Sequence, residues 1–433
     1  MEIKRDVYLD RLIVRKHNGL IKVITGIRRS GKSYLLNTLF YRHLIAENIS
    51  EDHIIKFAFD SAEDLLKIGE DPIVLDNEKE DRKVDPSKFI NWLMPQIKGD
   101  GMYYLLLDEV QKLGAFESVL NGFLRRENLD VYVTGSNSKF LSKDVLTEFR
   151  GRGDEVHVLP LSFSEYYTFK QGDKSEAYDD YSVYGGLPAV ALMVTEEQKT
   201  NYLISQMQNL YLRDIVNRYA VQDETALGEV IDVIASGIST LTNPRKIANT
   251  MNTIHGTKTC DATVDRYIGY AEEAFILTRV KRYNVKGRKY IGTPYKIYFE
   301  DVGLRNARLS FRQIEGTHMM ENIIYNELRY RGYQVDVGTV ESREKDSSGK
   351  EIRVQREIDF IASLGSKKYY IQSAYAIPDQ EKYEQETKSF EHTMDSFKKI
   401  IIIEKSMKPR YDEHGYLMMG VKEFLLDANS LLI

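Results

Sequence analysis

Short apolar runs alternate with amphipathic stretches in the first part of the chain. The apolar runs have the length of buried strands and lie at residues 21–25, 54–59, 103–107 and 131–134. Helical periodicity separates them, most clearly at residues 33–48 and 116–126. Strands that alternate with helices favour a parallel sheet covered on both faces. We therefore predict an α/β core, and we expect the acidic stretch at residues 60–85 to be a solvated loop.

The pattern changes after Leu159. Helical stretches dominate as far as residue 274, and an apparent hairpin follows at residues 276–283 and 289–299. Helical patterns at residues 242–251 and 263–274 precede the hairpin, and Asn243-Pro244 gives the earlier one a favourable start. Helices followed by a hairpin in this order are typical of a helix-turn-helix with a wing. The remaining tail combines a helical pattern with strand-like runs.

A complete phosphate-binding motif follows the first apolar run. Gly26-Ile27-Arg28-Arg29-Ser30-Gly31-Lys32-Ser33 matches G-x-x-x-x-G-K-[ST] at the junction of a predicted strand and a predicted helix. Its glycines let the backbone approach phosphate oxygens, and the loop amides and helix N-terminus supply hydrogen-bond donors. Lys32 is expected to bind the β- and γ-phosphates of ATP, and Ser33 to ligate Mg²⁺. Other expected nucleotide contacts are Gly26, Arg28, Arg29, Ser30, Gly31 and Tyr34.

Adjacent carboxylates end a later apolar run. Asp108 and Glu109 directly follow Leu105-Leu106-Leu107. At the end of a strand beside a phosphate-binding loop, such carboxylates take separate roles in phosphoryl transfer. Asp108 is expected to hold the Mg²⁺ shell, and Glu109 is expected to orient or deprotonate the attacking water.

Residues after the run at 131–134 are further catalytic candidates. Asn137, in Gly135-Ser136-Asn137-Ser138, is a candidate sensor of the γ-phosphate, and a turn that ends a strand is the alternative. Arg152, in Phe149-Arg150-Gly151-Arg152-Gly153, is a candidate arginine finger that acts on a neighbouring subunit. A solvated surface arginine is the alternative there. An arginine that acts in trans would imply a homo-oligomer.

Composition narrows the class of protein. The chain has 433 residues, 42% of them hydrophobic, and a net charge of −5, so a nucleic-acid surface would have to be local. This length predicts about two to four domains. Cys260 is the single cysteine, the N-terminus is unlike a signal peptide, and no apolar run approaches the roughly 18 residues of a membrane span. We therefore expect a cytoplasmic protein that is not associated with a membrane.

The motifs together resemble one family. The phosphate-binding motif, Asp108-Glu109-Val110-Gln111, Thr134-Gly135-Ser136-Asn137-Ser138 and Leu159-Pro160-Leu161-Ser162-Phe163 look like those of prokaryotic AAA-type ATPases with a C-terminal domain of unknown function. The resemblance implies a P-loop NTPase core of the AAA+ type. It also implies that Pro188, in Tyr184-Gly185-Gly186-Leu187-Pro188, packs near the adenine, with a helix-connecting turn as the alternative.

The same resemblance divides the chain into domains. The AAA-type core is expected at residues 1–160 and a helical lid at residues 161–222. A winged-helix-like domain is expected at residues 223–305, and a small α/β domain similar to restriction endonucleases at residues 306–433.

The predicted hairpin carries a local cluster of cations. Its members are Arg279, Lys281, Arg282, Lys286, Arg288 and Lys289. A basic wing can hold DNA phosphates while the second helix of the motif enters a groove. Winged helices that contact proteins and basic hairpins that are only solvated are the alternatives.

The implied endonuclease-like domain departs from the nuclease pattern. Asp359 matches the first metal-binding position, Gln372 stands at the second, and Glu321 can supply a further carboxylate. Ala374 occupies the position that needs a lysine, and Lys382 or Lys368 would be poor substitutes. Water activation and charge stabilisation both need that cation, so we expect a degenerate domain that does not cut DNA.

These features give one leading function and two alternatives. The leading hypothesis is an ATPase, with ATP and Mg²⁺, whose hydrolysis cycle acts with DNA. The first alternative is a nucleotide-gated switch that binds a protein partner. The second alternative is an ATP-dependent nuclease.

Overall fold

The computed structural model describes residues 2–75, 82–135, 151–256, 259–345 and 349–433. The chain divides into two compact units. The first unit comprises residues 3–159 with 273–275, and the second comprises residues 160–272 and 276–433 with residues 1–2. Within the described ranges, no helix is long and apolar enough to cross a membrane.

The first unit is built on a five-stranded parallel sheet. Its strands are β1 (Ile21–Thr25), β2 (Ile54–Ala58), β3 (Tyr103–Asp108), β4 (Leu129–Thr134) and β5 (Gly153–His157). They lie in the order β2-β3-β4-β1-β5, and every neighbouring pair is parallel. The predicted α/β fold with a parallel sheet is therefore confirmed.

Helices of several types connect these strands. The α-helices are Asp6–Ile13, Lys32–Tyr34, Tyr41–Ala46, Ala62–Lys67, Pro72–Leu75, Pro86–Leu93 and Phe116–Phe123. A π-helical segment, Leu35–Phe40, joins the second of these to the third. Short 3₁₀ turns lie at Glu51–His53, Met94–Gln96 and Val110–Lys112.

The apolar runs form the core of this unit. β1, β3 and β4 are buried along their whole length, as expected for inner strands of a covered parallel sheet. One apolar cluster joins Phe57 of β2 and Leu105 of β3 to Phe89 of a covering helix.

Two segments of the first unit differ from the sequence-based expectation. Ala62–Lys67 is helical, begins at the capping residue Ser61 and buries Leu65 in the core, so the expectation of a solvated loop is wrong there. The apolar pattern also does not indicate β5, because Gly153-Asp154-Glu155-Val156-His157 forms a polar edge strand with one fully buried residue.

The second unit combines a helical segment with an eight-stranded mixed sheet. The strands are β6 (Leu277–Asn284), β7 (Lys289–Phe299), β8 (Gln334–Lys345), β9 (Glu351–Leu364), β10 (Lys367–Ala374), β11 (Lys398–Ile403), β12 (Arg410–Tyr411) and β13 (Leu417–Gly420). Their order is β12-β13-β11-β10-β9-β8-β6-β7. The helices are Phe163–Lys170, Lys174–Tyr184, Pro188–Ala191, Glu196–Ser205, Gln206–Leu212 (a π-helix), Arg213–Tyr219, Glu224–Ser236, Pro244–His255, Asp261–Glu273, Val302–Arg308, Gly316–Tyr330, Gln380–Glu391 and Val421–Leu426.

The basic hairpin is part of this larger sheet. β6 and β7 pair in antiparallel fashion, as the sequence predicts, and β6 also pairs in parallel with β8 through Arg282 and Val337. The hairpin thus shares a sheet with strands of the predicted endonuclease-like domain. The domain boundary proposed between residues 305 and 306 does not interrupt that sheet.

The Gly-Gly-Leu-Pro segment is a close packing point within the second unit. The Gly186 amide donates to Asp301 Oδ2 at 2.8 Å, and the same carboxylate caps the helix Val302–Arg308. A β-carbon at Gly185 would lie 2.3 Å from Asp301 Oδ1, and one at Gly303 would lie 2.1 Å from the Tyr184 carbonyl oxygen. These close contacts leave no room for side chains, so packing where one helix connects to the next explains the glycines.

Candidate nucleotide-binding site

The loop after β1 takes a conformation that depends on its glycines. Gly26 has a φ of 132°, and a β-carbon there would lie 2.1 Å from the Val158 carbonyl oxygen. Gly31 has a φ of 94°, and Arg29 has a φ of 63°. Positive φ is easy for glycine and costly for other residues, so Arg29 is strained. The loop leads directly into the helix that starts at Lys32.

Lys32 is enclosed by this loop. Its side chain is buried, and Nζ donates to the carbonyl oxygens of Gly26 and Ile27, each at 2.9 Å. The ammonium is therefore held at the loop backbone, and its contact with the phosphates of ATP stays a prediction.

Asp108 gathers polar side chains at the carboxyl end of the sheet. Ser33 Oγ donates to Asp108 Oδ1 at 3.1 Å, and Asn37 Nδ2 donates to Oδ2 at 3.2 Å. Thr134 Oγ1 also donates to Oδ1. The structure thus brings the predicted pair Ser33 and Asp108 together although β4 lies between β1 and β3.

Negative charge is concentrated at this edge. Burial raises the pKa of Asp108; hydrogen bonds from Thr134 and Ser33 oppose the shift, and the charges of Glu109 and Asp60 add to it. Burial, followed by the charge of Glu109, also raises the pKa of Asp60, which lies just beyond β2. A group of neighbouring carboxylates with raised pKa values favours a cation at this edge.

Glu109 is held in a strained backbone conformation. Its φ is 51° and its ψ is 45°, a left-handed geometry that non-glycine residues rarely adopt. Its amide donates to Thr134 Oγ1 at 3.0 Å, and Gln111 Nε2 donates to its Oε2. Strain of this kind persists where the surroundings hold it and is concentrated at functional sites.

The sequence motifs do not single out Asn37, Asp60 or Thr134 as site residues. Asn37 lies one helical turn after Ser33, while Asp60 and Thr134 lie at or just beyond the ends of β2 and β4. The carboxyl ends of parallel strands lie at the same end of the sheet. The polar residues that follow each apolar run in the sequence could therefore have indicated these site residues.

The chain is similar to two family models and to proteins of other organisms. A family model described as AAA domain matches residues 18–167, and one described as Domain of unknown function (DUF8612) matches residues 175–315. An uncharacterized protein of Haemophilus influenzae is 34% identical over 410 residues, which cover 93% of this chain and 94% of that protein. The chain belongs to the same family as that protein. An uncharacterized protein of Methanocaldococcus jannaschii is 26% identical, over 98% of this chain and 89% of its own length.

A solved structure supports the fold of the family. The Walker-type ATPase of Pyrococcus abyssi is similar with a TM-score of 0.50 and 13% identity, over 71% of this chain and 96% of that chain. Together with the AAA match, this likeness identifies an AAA-type P-loop ATPase fold, as the sequence predicts.

The other predicted nucleotide contacts differ in exposure. Arg29, Ser33 and Tyr34 are exposed and Arg28 is half-buried. Ser30 is completely buried, so it offers no exposed surface to a nucleotide. Asn137 lies outside the described residues, as do Ser136, Ser138 and Arg150, which leaves the sensor a prediction.

Arg152 lies at the amino end of strand β1, and the phosphate-binding loop lies at its carboxyl end. Its carbonyl oxygen accepts a hydrogen bond from the Ile21 amide at 2.9 Å, at the start of β1. The loop follows the other end of β1, which is about 16 Å away at the usual rise of a strand. Its exposed side chain therefore lies away from the nucleotide site of its own AAA domain, and its action in trans stays a prediction.

Pro188 belongs to the second unit, where it begins the helix Pro188–Ala191. A β-carbon at the preceding Gly186 would lie 2.2 Å from the Leu161 carbonyl oxygen. Packing within the second unit thus accounts for this segment. The adenine contact of Pro188 stays a prediction.

The basic hairpin contains both paired and exposed cations. Arg279 bonds to Asp265 at 2.5 Å and to Glu272 at 2.6 Å. Arg282 is buried and donates to the carbonyl oxygens of Pro294 and Thr293 and to Gln355 Oε1. The exposed cations are Lys281, Lys286, Arg288 and Lys289. Arg279 and Arg282 bind partners within the second unit, and this does not favour their predicted contact with DNA.

The helix predicted to enter a DNA groove is acidic. Asp261–Glu273 carries Asp261, Asp265, Glu272 and Glu273, against the single cation Arg266. Carboxylates repel a phosphate backbone, so this helix does not favour insertion into DNA.

A buried lysine joins the carboxylates of the predicted nuclease-like site. Lys296 Nζ of β7 lies 2.8 Å from Glu321 Oε1, 2.7 Å from Glu357 Oε1 and 3.1 Å from Asp359 Oδ1. The structure thus brings Glu321 and Asp359 together around an ammonium group. The sequence pattern does not point to Lys296, because it precedes the predicted domain.

The side chains at the remaining nuclease-like positions have other partners. Gln372 Nε2 donates to Glu386 Oε2 at 3.1 Å, and Lys382 Nζ pairs with Glu386 Oε1 at 2.6 Å. Ala374 packs in the apolar cluster that contains Phe390. In the described part of the chain, no group of three or more His, Cys, Asp and Glu residues is arranged to hold a metal ion.

Proposed function

We propose that the AAA domain hydrolyses ATP at the loop after β1. Water attacks the γ-phosphate, the bond to the leaving ADP oxygen breaks, and Glu109 accepts the proton of the water. Lys32 binds the phosphates and stabilises the charge on the transferred group. The observation that carries the proposal is the hydrogen-bonded group of Ser33, Asp108, Thr134 and Glu109 beside the loop.

The residues present fit a magnesium ion. Ser33 and Asp108 present hydroxyl and carboxylate oxygens 3.1 Å apart, where neighbouring carboxylates concentrate negative charge. These two residues would hold Mg²⁺, which when bound would neutralise phosphate charge during transfer.

Lys32→Ala tests the proposal. The substitution is expected to lower ATP turnover by about 10²–10³-fold, because it removes a positioned donor to the transferred group. Phosphate release and titration with a fluorescent ATP analogue measure turnover and affinity separately. Lys98→Ala, at an exposed lysine of the same unit, is the control. Equal turnover in both variants would refute the assignment.

We propose further that Arg152 completes the site of a neighbouring copy. Its place at the far edge of the sheet supports action between subunits. Mixing Arg152→Ala with Glu109→Gln protein would then restore part of the turnover that each variant lacks alone. Mixtures that stay inactive would count against a role in trans.

A second proposed function is DNA binding restricted to the end of the hairpin. The exposed Lys286, Arg288 and Lys289 support phosphate contacts, while the acidic helix Asp261–Glu273 argues against groove recognition. We therefore propose binding that is independent of DNA sequence, and we propose that the Lys296 cluster does not cut DNA.

A salt titration tests the DNA contact. Replacing Lys286, Arg288 and Lys289 with glutamine is expected to reduce the slope of log K against log salt by about 3, since each phosphate contact contributes about 0.9. The matched control replaces the exposed cations Lys405, Lys408 and Arg410. Identical slopes for both triple variants would instead favour a protein partner for the nucleotide-bound state.

A further inference from the structure

Arg5 reaches the phosphate-binding loop from the N-terminus. It lies in the first unit but outside residues 18–167, which the AAA model matches. Its Nη1 donates to the Ser30 carbonyl oxygen at 2.8 Å, and its Nη2 donates to the Leu159 carbonyl oxygen at 2.7 Å. The side chain is buried, with only 2% of the residue exposed. One buried cation thus joins the N-terminal segment, the loop and Leu159, which lies two residues beyond β5.

The helix Asp6–Ile13 holds this guanidinium in place. The guanidinium carbon lies 4.7 Å from the centroid of the Tyr8 ring, which is completely buried. Tyr8 also accepts a hydrogen bond at its hydroxyl from the Leu159 amide, at 3.0 Å. The arginine is therefore packed on one side and hydrogen-bonded at two of its nitrogens. Charge-assisted hydrogen bonds of this kind are stronger than neutral ones.

We infer that Arg5 is a positioning residue that sets the orientation of the peptide between Ser30 and Gly31. The carbonyl and amide of a trans peptide point in opposite directions. With the Ser30 carbonyl held on Arg5, the Gly31 amide faces the other way, toward an approaching phosphate. The inference rests on the proposed binding of ATP at this loop.

The Arg5 contact matters because Gly31 gives this peptide conformational freedom. Glycine is accessible to both positive and negative φ, so Gly31 alone does not select one orientation. The flanking Arg29 has a φ of 63° and is strained. A strained conformation persists only where the surrounding structure holds it, and the fixed Ser30 carbonyl contributes to this. The Gly31 amide is expected to bind ATP and the transition state equally well. Losing such a contact weakens ATP binding but changes the rate of the chemical step little.

Arg5→Met tests this role in the full-length chain. The variant keeps a buried apolar side chain and removes both donors. We expect the KM for ATP and the Kd of a fluorescent ATP analogue to rise by about 10-fold, which is the loss of roughly one hydrogen bond, with kcat nearly unchanged. Arg11→Met is the matched control, because its guanidinium lies 5.1 Å from the same Tyr8 ring.

A second variant separates positioning from stability. Tyr8→Phe removes the acceptor of the Leu159 amide without touching the loop, so it should lower the Tm and leave KM unchanged. Arg5→Lys keeps the charge but not the paired donors, and it is expected to raise KM as well. Should Arg5→Met fail to fold, the KM of Arg5→Lys decides the question.

The possible outcomes are distinct. A wild-type KM in the Arg5 variants, or a fall in kcat alone, overturns the inference while the proposed function stands. Wild-type protein that binds no ATP analogue overturns both. A raised KM in the Arg5 variants, with a normal KM in Arg11→Met and Tyr8→Phe, supports the positioning role.

Discussion

Glu109→Gln is expected to leave ATP binding intact and to lower turnover by about 10²–10⁴-fold, the usual contribution of a general base. Glutamine matches glutamate in shape, and its carbonyl oxygen can still accept the hydrogen bond from Gln111. It cannot accept a proton from water at neutral pH. The left-handed backbone at this position, held through Thr134, is expected to persist in the variant.

Phosphate release under single-turnover conditions is the decisive measurement. Glu127→Gln removes an exposed carboxylate of the same unit and should turn over ATP like the wild type. The affinity of Glu109→Gln for an ATP analogue should equal that of the wild type. Substantial turnover by Glu109→Gln would show that another group, such as Asp60, receives the proton.

The phosphate-binding loop and Asp108-Glu109 could be predicted because their chemistry is local. A glycine-rich turn between a strand and a helix needs few residues, and its spacing is visible in the sequence. The strands β1, β3 and β4 could be predicted as well, since inner strands of a parallel sheet are continuous apolar runs. β5 has no such run, because an edge strand is only partly covered.

Contacts between distant segments could not be predicted in the same way. Thr134 bonds Asp108 from a neighbouring strand, and Arg5 reaches Ser30 from the residue before a helix that precedes the motif. Each residue is unremarkable in its own segment. Only the strand order and the course of the chain bring these side chains together.

Lys296 is the clearest example of a residue that only the fold reveals. It lies in a hairpin whose cations suggest a solvated or DNA-binding surface, yet its side chain is buried against Glu321, Glu357 and Asp359. Burial alone would lower the pKa of Lys296, but the neighbouring carboxylates raise it well above its usual value. The lysine is therefore charged, and it compensates carboxylates that are largely removed from water.

Lys296→Met is accordingly expected to lower the free energy of unfolding by about 3–5 kcal/mol near neutral pH, because it leaves buried carboxylates without their counter-ion. Urea denaturation measures the effect, and Lys289→Met, at an exposed lysine of the same strand, should stay near the wild type. A triple variant that adds Glu321→Gln and Asp359→Asn should recover part of the loss, since fewer unpaired charges remain buried.

The pH dependence of this loss has a definite sign. Burial raises the pKa of Glu321 from 4.5 to about 7, and Lys296 opposes the shift. A raised carboxyl pKa means that the native state binds more protons than the unfolded state between these values, so the contribution of Glu321 to stability falls as pH rises through them. Removing the ammonium increases that penalty. The destabilisation by Lys296→Met should therefore be larger at pH 8 than at pH 5, and an equal loss at both pH values would mean that lost packing, rather than unpaired charge, is its cause.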